Sequence, residues 1–375
     1  MTGDPGGRRL RVGVDVSLFE VAKTGVRTYV DEMLVALPAA GADVLPLRPP
    51  PHANPVGPVA KAARHARHQY WLQIGLPRAL ERERCDVLLA PEYEAPLGSR
   101  CPHVVVFHDA SIWLNPEQYN PLWRALIDGL AVPAARRAAR VVTVSESAKQ
   151  DLVRLLHFAP GHVVVVPEAP RRPASPSPEE TASTLRRLGL RPDGYFLHVG
   201  VIERRKNLVR LVEAFALLAG DLPLRLVLAG QPGPKRPIDD SSNVRAAIDR
   251  LGLADRVVLT GFVSEEDLAT LYRNALATVL PSLLEGFGLP VLEAYQYGSP
   301  LICSDRAALP EVAGDAALYV DPEDVGALAA RMREVAADEG LRRRLVEAGG
   351  VRVQGFSWHL AAVRTLKVLQ EAVGC

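Results

Sequence analysis

A chain of 375 residues is longer than one ordinary hydrophobic core can serve, and it fits two domains. With 48% hydrophobic and 23% charged residues and a formal net charge of +1, it has a globular make-up and lacks the basic excess that bulk nucleic-acid binding needs. The cysteines Cys85, Cys101, Cys303 and Cys375 form no C-x-x-C pair, which argues against a zinc or thioredoxin-type site and fits reduced thiols in a cytoplasmic protein.

The start, MTGDPGGRRL, has no apolar stretch of the signal-peptide kind, and no apolar run nears the roughly 18 residues of a membrane span. LRVGVDV (10–16) predicts a strand. GVRTYVDEMLVAL (25–37) predicts a helix with Val26, Tyr29, Val30, Met33, Leu34 and Leu37 on one face. ADVLPL, CDVLLAP, HVVVFHD and RVVTVS predict further strands. SESAKQDLVRLLHF predicts a helix opened by Ser145 as N-cap, and HVVVVPEAP closes this half. Strands that are apolar almost throughout, alternating with helices, imply a parallel sheet covered on both faces.

PEAPRRPASPSPEE (167–180) carries five prolines in fourteen residues, too many for a regular element, and predicts a linker, placed at 171–185. The pattern then restarts. YFLHVG, LRLVLAG, RVVLTGF, ATVLP and PLICS predict strands, and the segments around 207–219, 241–252, 264–275 and 290–297 predict helices. Beyond Asp324 the pattern is helical. The expected fold is α/β: two Rossmann-like domains with parallel sheets facing a cleft, over 1–170 and 186–356. Ligands of such sheets bind beyond the carboxyl ends of the strands.

The most informative stretch is PSLLEGFGLPVLEAYQYG (281–298), where Glu285 and Glu293 have seven residues between them. It follows the strand ATVLP, so SLLEGFG is a loop at that strand's carboxyl end. Pro290 suits the first turn of a helix and Gly298 its end. The free amides at that helix start, with Gly286 and Gly288 admitting close approach, favour an anion such as a diphosphate. Eight helical steps of ~1.5 Å would part the glutamates by about 12 Å. That exceeds the ~5–9.5 Å of glycosidase carboxyl pairs, so a hydrolytic pair is disfavoured. The spacing suits the two ends of an extended ligand such as a nucleotide-sugar. A dinucleotide fingerprint is disfavoured as well: GFGLPV puts Val291 where the third glycine belongs, although Asp305 lies 19 residues after Gly286.

With these motifs in order, the chain resembles the retaining glycosyltransferases of family 4, which have the GT-B fold. HVGVIERRKNLVRLVEAF resembles that family's phosphate-binding segment, and VVLTGFVSEEDLATLYRNA its base-binding segment. ALPEVAGDAALYVDPED and FSWHLAAVRTLKVL resemble its C-terminal signatures, and TGVRTYV, VVFHDAS and VVTVSESAKQDL its N-terminal ones. The resemblance implies that Glu285 contacts the donor sugar and Glu293 the ribose. It implies that the amides of Phe287, Gly288 and Leu289 take the sugar and diphosphate. Arg205 and Lys206 follow a strand, where a basic pair can neutralise a departing diphosphate; the family places such a pair there in that role. Asn207 is expected to cap the next helix. The resemblance brings the loop at Gly25 to the diphosphate from the other domain, and places His108 near the reacting sugar. Asp109, as an orienter of His108 or an acceptor ligand, and Glu168 are weaker acceptor-side candidates. The helix over 357–375 is expected to pack back on the N-terminal domain.

No D-x-D occurs, which fits a metal-independent enzyme without cofactor. The implied activity moves a hexose from a nucleotide-sugar, GDP-mannose ahead of a UDP-sugar, to a saccharide or lipid-linked hydroxyl, as in bacterial mannosyltransferases of polysaccharide assembly. A nucleotide-sugar epimerase on the same fold and a non-catalytic sugar-nucleotide binder are the alternatives. KAARHARHQYWLQIGLPRALERER (61–84) carries Tyr70, Trp71, Leu72 and Ile74 in a basic setting. It reads either as a helix covering the sheet or as an interfacial helix that meets anionic lipid and a polyprenyl-linked acceptor. Oligomeric state is not legible, and no nucleic-acid partner is expected.

Overall fold

The structure, a computed structural model, describes residues 8–17, 25–50, 60–233 and 237–374. The polar start of the chain, the residues leading into Gly25 and Cys375 lie outside the described residues. The chain divides into two compact units, one of Met1–Trp113, Asn120–Glu168 and Ser357–Cys375, the other of Leu114–Tyr119 and Ala169–Phe356.

The first unit is built on six parallel strands: β1 (Arg11–Asp15), β2 (Asp43–Leu47), β3 (Val87–Ala90), β4 (His103–Phe107), β5 (Arg140–Thr143) and β6 (Val163–Val165). Their spatial order is β2-β1-β3-β4-β5-β6. Val12 of β1 lies between Val44 and Val87. The chain therefore leaves β1 in one direction and returns at β3 to run the other way, which makes the β1/β3 boundary a topological switch point. The residues of β3 and Val104–Phe107 of β4 are all 0% exposed, as strands covered on both faces must be. Helix Gly25–Ala39 covers one side with Tyr29, Met33 and Leu37. Helix Trp358–Val373 packs against it and against β3, β4 and β5, with the Tyr29 and Trp358 rings edge-on at 6.0 Å.

The second unit repeats the architecture with β7 (Tyr195–Val199), β8 (Arg225–Ala229), β9 (Val257–Gly261), β10 (Ala277–Leu280), β11 (Leu301–Ser304) and β12 (Leu318–Val320). The order is β12-β11-β10-β7-β8-β9, all parallel, so the switch point falls between β7 and β10. Phe196, Phe215, Leu211, Val279, Ile302 and Met332 centre its core. Both units are Rossmann-like α/β folds.

Two expectations are corrected. The stretch 171–185 is not a linker throughout, because helix Pro178–Leu188 occupies its second half. Ser177 and Glu180 form a reciprocal capping box around Pro178 in the first turn, so SPEE starts a helix where proline content alone suggests none. That helix is tied to the second unit by Arg187–Asp267 at 2.7 Å. The stretch 61–84 is not one helix but Ala60–Tyr70, a π-turn at Trp71–Gly75, and Leu76–Arg82. Trp71 and Leu72, which an interfacial helix would present outwards, lie in a core cluster with Leu76, Leu80 and Leu88. Tyr70 and Ile74 stay exposed. Among the described residues no helix is long and apolar enough to cross a membrane.

Helix Trp358–Val373 buries Trp358, Leu366 and Leu369, each worth about 1.5–3 kcal/mol. Their sum rivals the whole stability of a domain. A chain ending after Phe356 is expected to lose the cooperative melting of the first unit; two intact calorimetric transitions in that truncate would contradict the packing described.

Candidate active site

The site grows from the β7/β10 switch point. After β7 the chain continues extended, with Gly200 N–H donating to Ala229 O and Ile202 N–H to Gln231 O. It then closes a 3-10 turn at Arg204–Lys206, and Asn207 takes a left-handed conformation (φ 60°) to enter helix Leu208–Ala219. Beside it, β10 runs out into Pro281–Glu285, and Leu283 N–H donates to Arg205 O at 2.7 Å. The two loops are thereby laced together although 79 residues separate Lys206 from Glu285.

Glu285 is the centre. Its carboxylate, 7% exposed, accepts from Lys206 Nζ at 2.6 Å, Arg205 Nη1 at 3.0 Å and Ser282 Oγ at 2.7 Å. Burial opposes its charge, yet Lys206 and Arg205 overcome it and hold the group down at about 2. Glu285 is therefore an acceptor of hydrogen bonds at neutral pH and not a general acid. Arg205 is fixed from behind by Glu203 (Nε to Oε2, 2.8 Å) and by Leu284 O. Lys206 is 6% exposed, and burial drives its basicity down against the pull of Glu285. Of its three N–H bonds, one reaches Glu285, and the other two have no protein acceptor among the described residues.

His198, near the end of β7, is 1% exposed and gives one ring nitrogen to Val279 O at 3.0 Å, so it must donate from Nδ1. Its Nε2 has no partner among the described residues. Burial and then the Lys206 charge hold this ring down at about 4, hence neutral. A Cβ on Gly200 would lie 3.5 Å from that nitrogen and 3.6 Å from Lys206 Nζ.

The glycine loop opens helix Leu289–Gln296, one residue earlier than its proline suggests. Gly288 stands at its N-cap with φ 104°, and a Cβ there would come within 2.9 Å of Leu309 Cδ2, so both backbone and space call for glycine. Phe287 is buried edge-on against Phe356 at 6.0 Å, so it offers backbone and not ring to a ligand. Glu293 sits on the same helix, 4% exposed, taking a hydrogen bond from Tyr272 Oη at 3.0 Å and pairing with Arg171 Nε at 3.5 Å. It lines a shallow depression with Arg171, Arg172, Glu265, Leu268 and Tyr297. Tyr297 stacks on Tyr272, with centroids 5.7 Å apart.

In the first unit, His108 follows β4 and is bonded on both sides, Nδ1 to Glu168 Oε1 at 3.0 Å and Nε2 to Pro91 O at 2.9 Å. A carboxylate and a carbonyl are both acceptors, so the ring donates twice and is an imidazolium. Burial works against that charge, but the Glu168 bond raises His108 above its ordinary value. The Tyr29 ring meets it edge-on at 5.0 Å. Asp109 does not orient His108: its Oδ1 accepts from Ser111 N–H in a tight turn, and the orienting carboxylate is Glu168, 5% exposed. Gly25 is the exposed first residue of its helix. Asn207 holds the helix-start position without capping through its side chain; Nδ2 instead donates to Pro281 O and Pro322 O.

The second unit thus gathers Arg205, Lys206 and Glu285, followed by Phe287–Leu289 and Glu293, and the first unit joins His108 to Glu168. Ser282, Glu203, His198 and Tyr272 were not anticipated. Ser282 and Glu203 lie three and two residues before the groups they hold, a spacing that would have marked them. His198 and Tyr272 become visible only through the sheet and helix neighbours they meet. Among the described residues no group of three or more His, Cys, Asp or Glu is placed to hold a metal.

Residues 186–351 match the family described as glycosyl transferases group 1, and residues 23–169 match glycosyltransferase family 4. The chain is 33% identical to O-antigen chain mannosyltransferase B of Escherichia coli over 70% of its own length and 68% of that protein's. It is 31% identical to the serotype-specific mannosyltransferase WbdA of Escherichia coli over 72% of its length, but covers only 34% of that longer protein. Its fold matches sucrose-phosphate synthase of Thermosynechococcus elongatus with a TM-score of 0.73 at 21% identity, over 96% of this chain and 98% of that one.

Two titrations follow from the site. Glu285 has its folded value depressed to about 2 from an ordinary 4.5, so its contribution is full above about 4.5 and lost as pH falls through about 2. Glu285→Gln is expected to flatten the acid limb of a stability-versus-pH curve across that window; an unchanged limb would refute the pairing. His108 has a raised value, so its contribution is full below its unfolded value of 6.5 and is lost as pH rises through the folded one. Glu168→Gln is expected to move the His108 titration in an NMR pH series to lower pH, and an unshifted curve would contradict the imidazolium assignment.

Proposed function

The chain belongs to the glycosyl transferases group 1, nucleotide-sugar-dependent enzymes that transfer a hexose to an acceptor hydroxyl, and we propose that its donor is GDP-mannose, its outcome retention, and its donor site the Glu285 cluster. The observation that carries the site is the buried Lys206 ammonium with two unspent donors beside Arg205 and the start of helix Leu289–Gln296. Such an array presents positive charge and free amides, without reorganisation, where a leaving diphosphate gathers charge.

In this reading Lys206 and Arg205 take the diphosphate, and the amides of Phe287, Gly288 and Leu289 close on the phosphate and sugar. Glu285, ionised, accepts from donor-sugar hydroxyls, and Glu293 from the ribose. Gly25 at its helix start and the fixed charge of His108 serve the same step from the first unit, with Glu168 holding His108. The bond from the anomeric carbon to the diphosphate breaks. The acceptor oxygen forms the new bond on the same face, and its proton passes to a phosphate oxygen. Mannose is favoured by the names of the Escherichia coli relatives above. The acceptor is a saccharide, lipid-linked through a polyprenyl carrier in the version that brings the enzyme to the cytoplasmic membrane face.

A thermal-shift series with GDP-, UDP-, ADP- and dTDP-sugars is expected to single out GDP-mannose. Arg205→Ala, Lys206→Ala and Glu285→Gln are each expected to cut kcat by on the order of 10²–10³ while far-UV circular dichroism stays native. Near-normal transfer by the Lys206→Ala enzyme would sink the assignment, and stabilisation by a UDP-sugar alone would replace the donor.

A further inference from the structure

Strand β7 buries two polar side chains among apolar neighbours, Tyr195 and His198. The Tyr195 hydroxyl is satisfied, donating to Leu271 O at 2.8 Å. His198 is satisfied on one side only. Its Nδ1–H reaches Val279 O on the adjoining strand β10 at 3.0 Å, which fixes both the ring and its tautomer. Nε2 then carries a lone pair that accepts, and no donor among the described residues meets it. Burial and then the Lys206 charge hold the ring at about 4, so that lone pair is present at neutral pH. At 1% exposure such an acceptor is costly to bury unless something donates to it.

The backbone shows what Nε2 faces. Gly200, two residues on, has φ 151° and donates its N–H to Ala229 O at 3.0 Å. A Cβ on Gly230 would collide with Gly200 O, so two glycines bring the ends of β7 and β8 together. A Cβ on Gly200 would stand 3.4 Å from Lys206 Cε, 3.5 Å from His198 Nε2 and 3.6 Å from Lys206 Nζ. The imidazole acceptor and the ammonium donor therefore border one point, and glycine keeps that point clear of side chain. Lys206 spends one N–H on Glu285 Oε1, which Ser282 Oγ shares at 2.7 Å. Of the other charged groups that act on Lys206, Glu203 attracts and Arg205 repels, and neither gives it a second hydrogen bond. One bond leaves a lysine head free to turn its remaining N–H groups.

An ionised diphosphate only accepts, so it cannot satisfy Nε2. A water donates to Nε2 and accepts from the ammonium, and it spans a separation too long for a direct bond. We infer that His198 is a positioning residue for Lys206: through one bridging water its Nε2 engages an N–H of the ammonium, so that the remaining N–H is directed at the leaving diphosphate. The task of Lys206 rests on the donor-site reading above, whereas the link between the two side chains rests on the geometry alone.

Two substitutions separate positioning from packing. An asparagine amide reproduces the Nδ1–H donor to Val279 O and lacks the Nε2 lone pair, whereas a glutamine amide reaches the Nε2 position and offers an acceptor there. His198→Asn is expected to lower kcat about tenfold with the donor KM little changed, as the loss of one hydrogen bond made in the transition state does. His198→Gln is expected to recover most of that loss, even where it melts at the lower temperature. A wild-type kcat in His198→Asn, or a loss in both variants that follows melting temperature and not the acceptor, would overturn the assignment. A second measurement needs neither turnover nor a His198 variant. In long-range ¹H–¹⁵N spectra of the nucleotide-free chain, Lys206→Met is expected to move the His198 Nε2 resonance downfield, as a pyridine-type nitrogen moves on losing a donor. An unmoved resonance would overturn the link whatever the kinetics. Near-normal transfer by Lys206→Ala beside a moved resonance would strike the donor-site reading and leave the link standing.

Discussion

A carboxylate at 7% exposure keeps its charge only if cations meet it inside the protein, and Glu285 has two, at 2.6 and 3.0 Å. Desolvating an ion costs several kcal/mol even after relaxation. Neither the carboxylate nor the buried Lys206 would therefore hold its place alone. Removing one partner of such a pair typically costs about 3–5 kcal/mol, which ties the β7 and β10 loops into one unit more firmly than the backbone bond from Leu283 to Arg205. The sheet order makes the meeting possible: β7 and β10 are neighbours only because the chain reverses its direction of strand addition between them. An order that parted β7 from β10 would leave Lys206 and Glu285 on separated loops.

Much of this was legible from the residues, for identifiable reasons. Apolar strands such as VVVF and VLLA admit no half-exposed sheet, so parallel sheets covered on both faces followed directly. Gly288 and Pro290 marked the start of helix Leu289–Gln296 because each has a conformational preference that few other positions satisfy. Arg205, Lys206 and Glu285 were found through the motifs around them, but that they form one hydrogen-bonded cluster depends on strand order, which one-dimensional pattern does not fix. The helix at Pro178 was missed because proline was read as a breaker where the Ser177–Glu180 box uses it as a starter. Of the two readings of 61–84, the buried Trp71 fits the segment that covers the sheet and not the interfacial helix, with the indole bonded to Asp15. Asp109 adjoined His108 in sequence, whereas the carboxylate that meets it in space is sixty residues away at Glu168.

The two units show how one architecture carries opposite electrostatics. Each has a parallel sheet with a switch point, and each places its charged side chains just beyond the strand ends. At β7/β10 the unspent hydrogen bonds are those of a cation, Lys206. At β1/β3 they are those of a carboxyl, Glu92, since Asp15 and Glu94 are already bonded. The first can neutralise an anion; the second presents carboxyl groups instead. That difference lies in loop residues and not in the scaffold, consistent with function being set by sites grafted on a common fold.

The ionisation of Glu285 also limits what the site can do. Held at about 2, its carboxyl has no proton to give a leaving oxygen at any physiological pH. Glu293, the other acid of the motif, meets Tyr272 and Arg171. Glu285 cannot then act as the acid of a hydrolase. The charged donors beside Glu285 are Lys206 and Arg205. An ionised carboxylate held between two cations is suited to the stabilisation of an anion rather than to the donation of a proton.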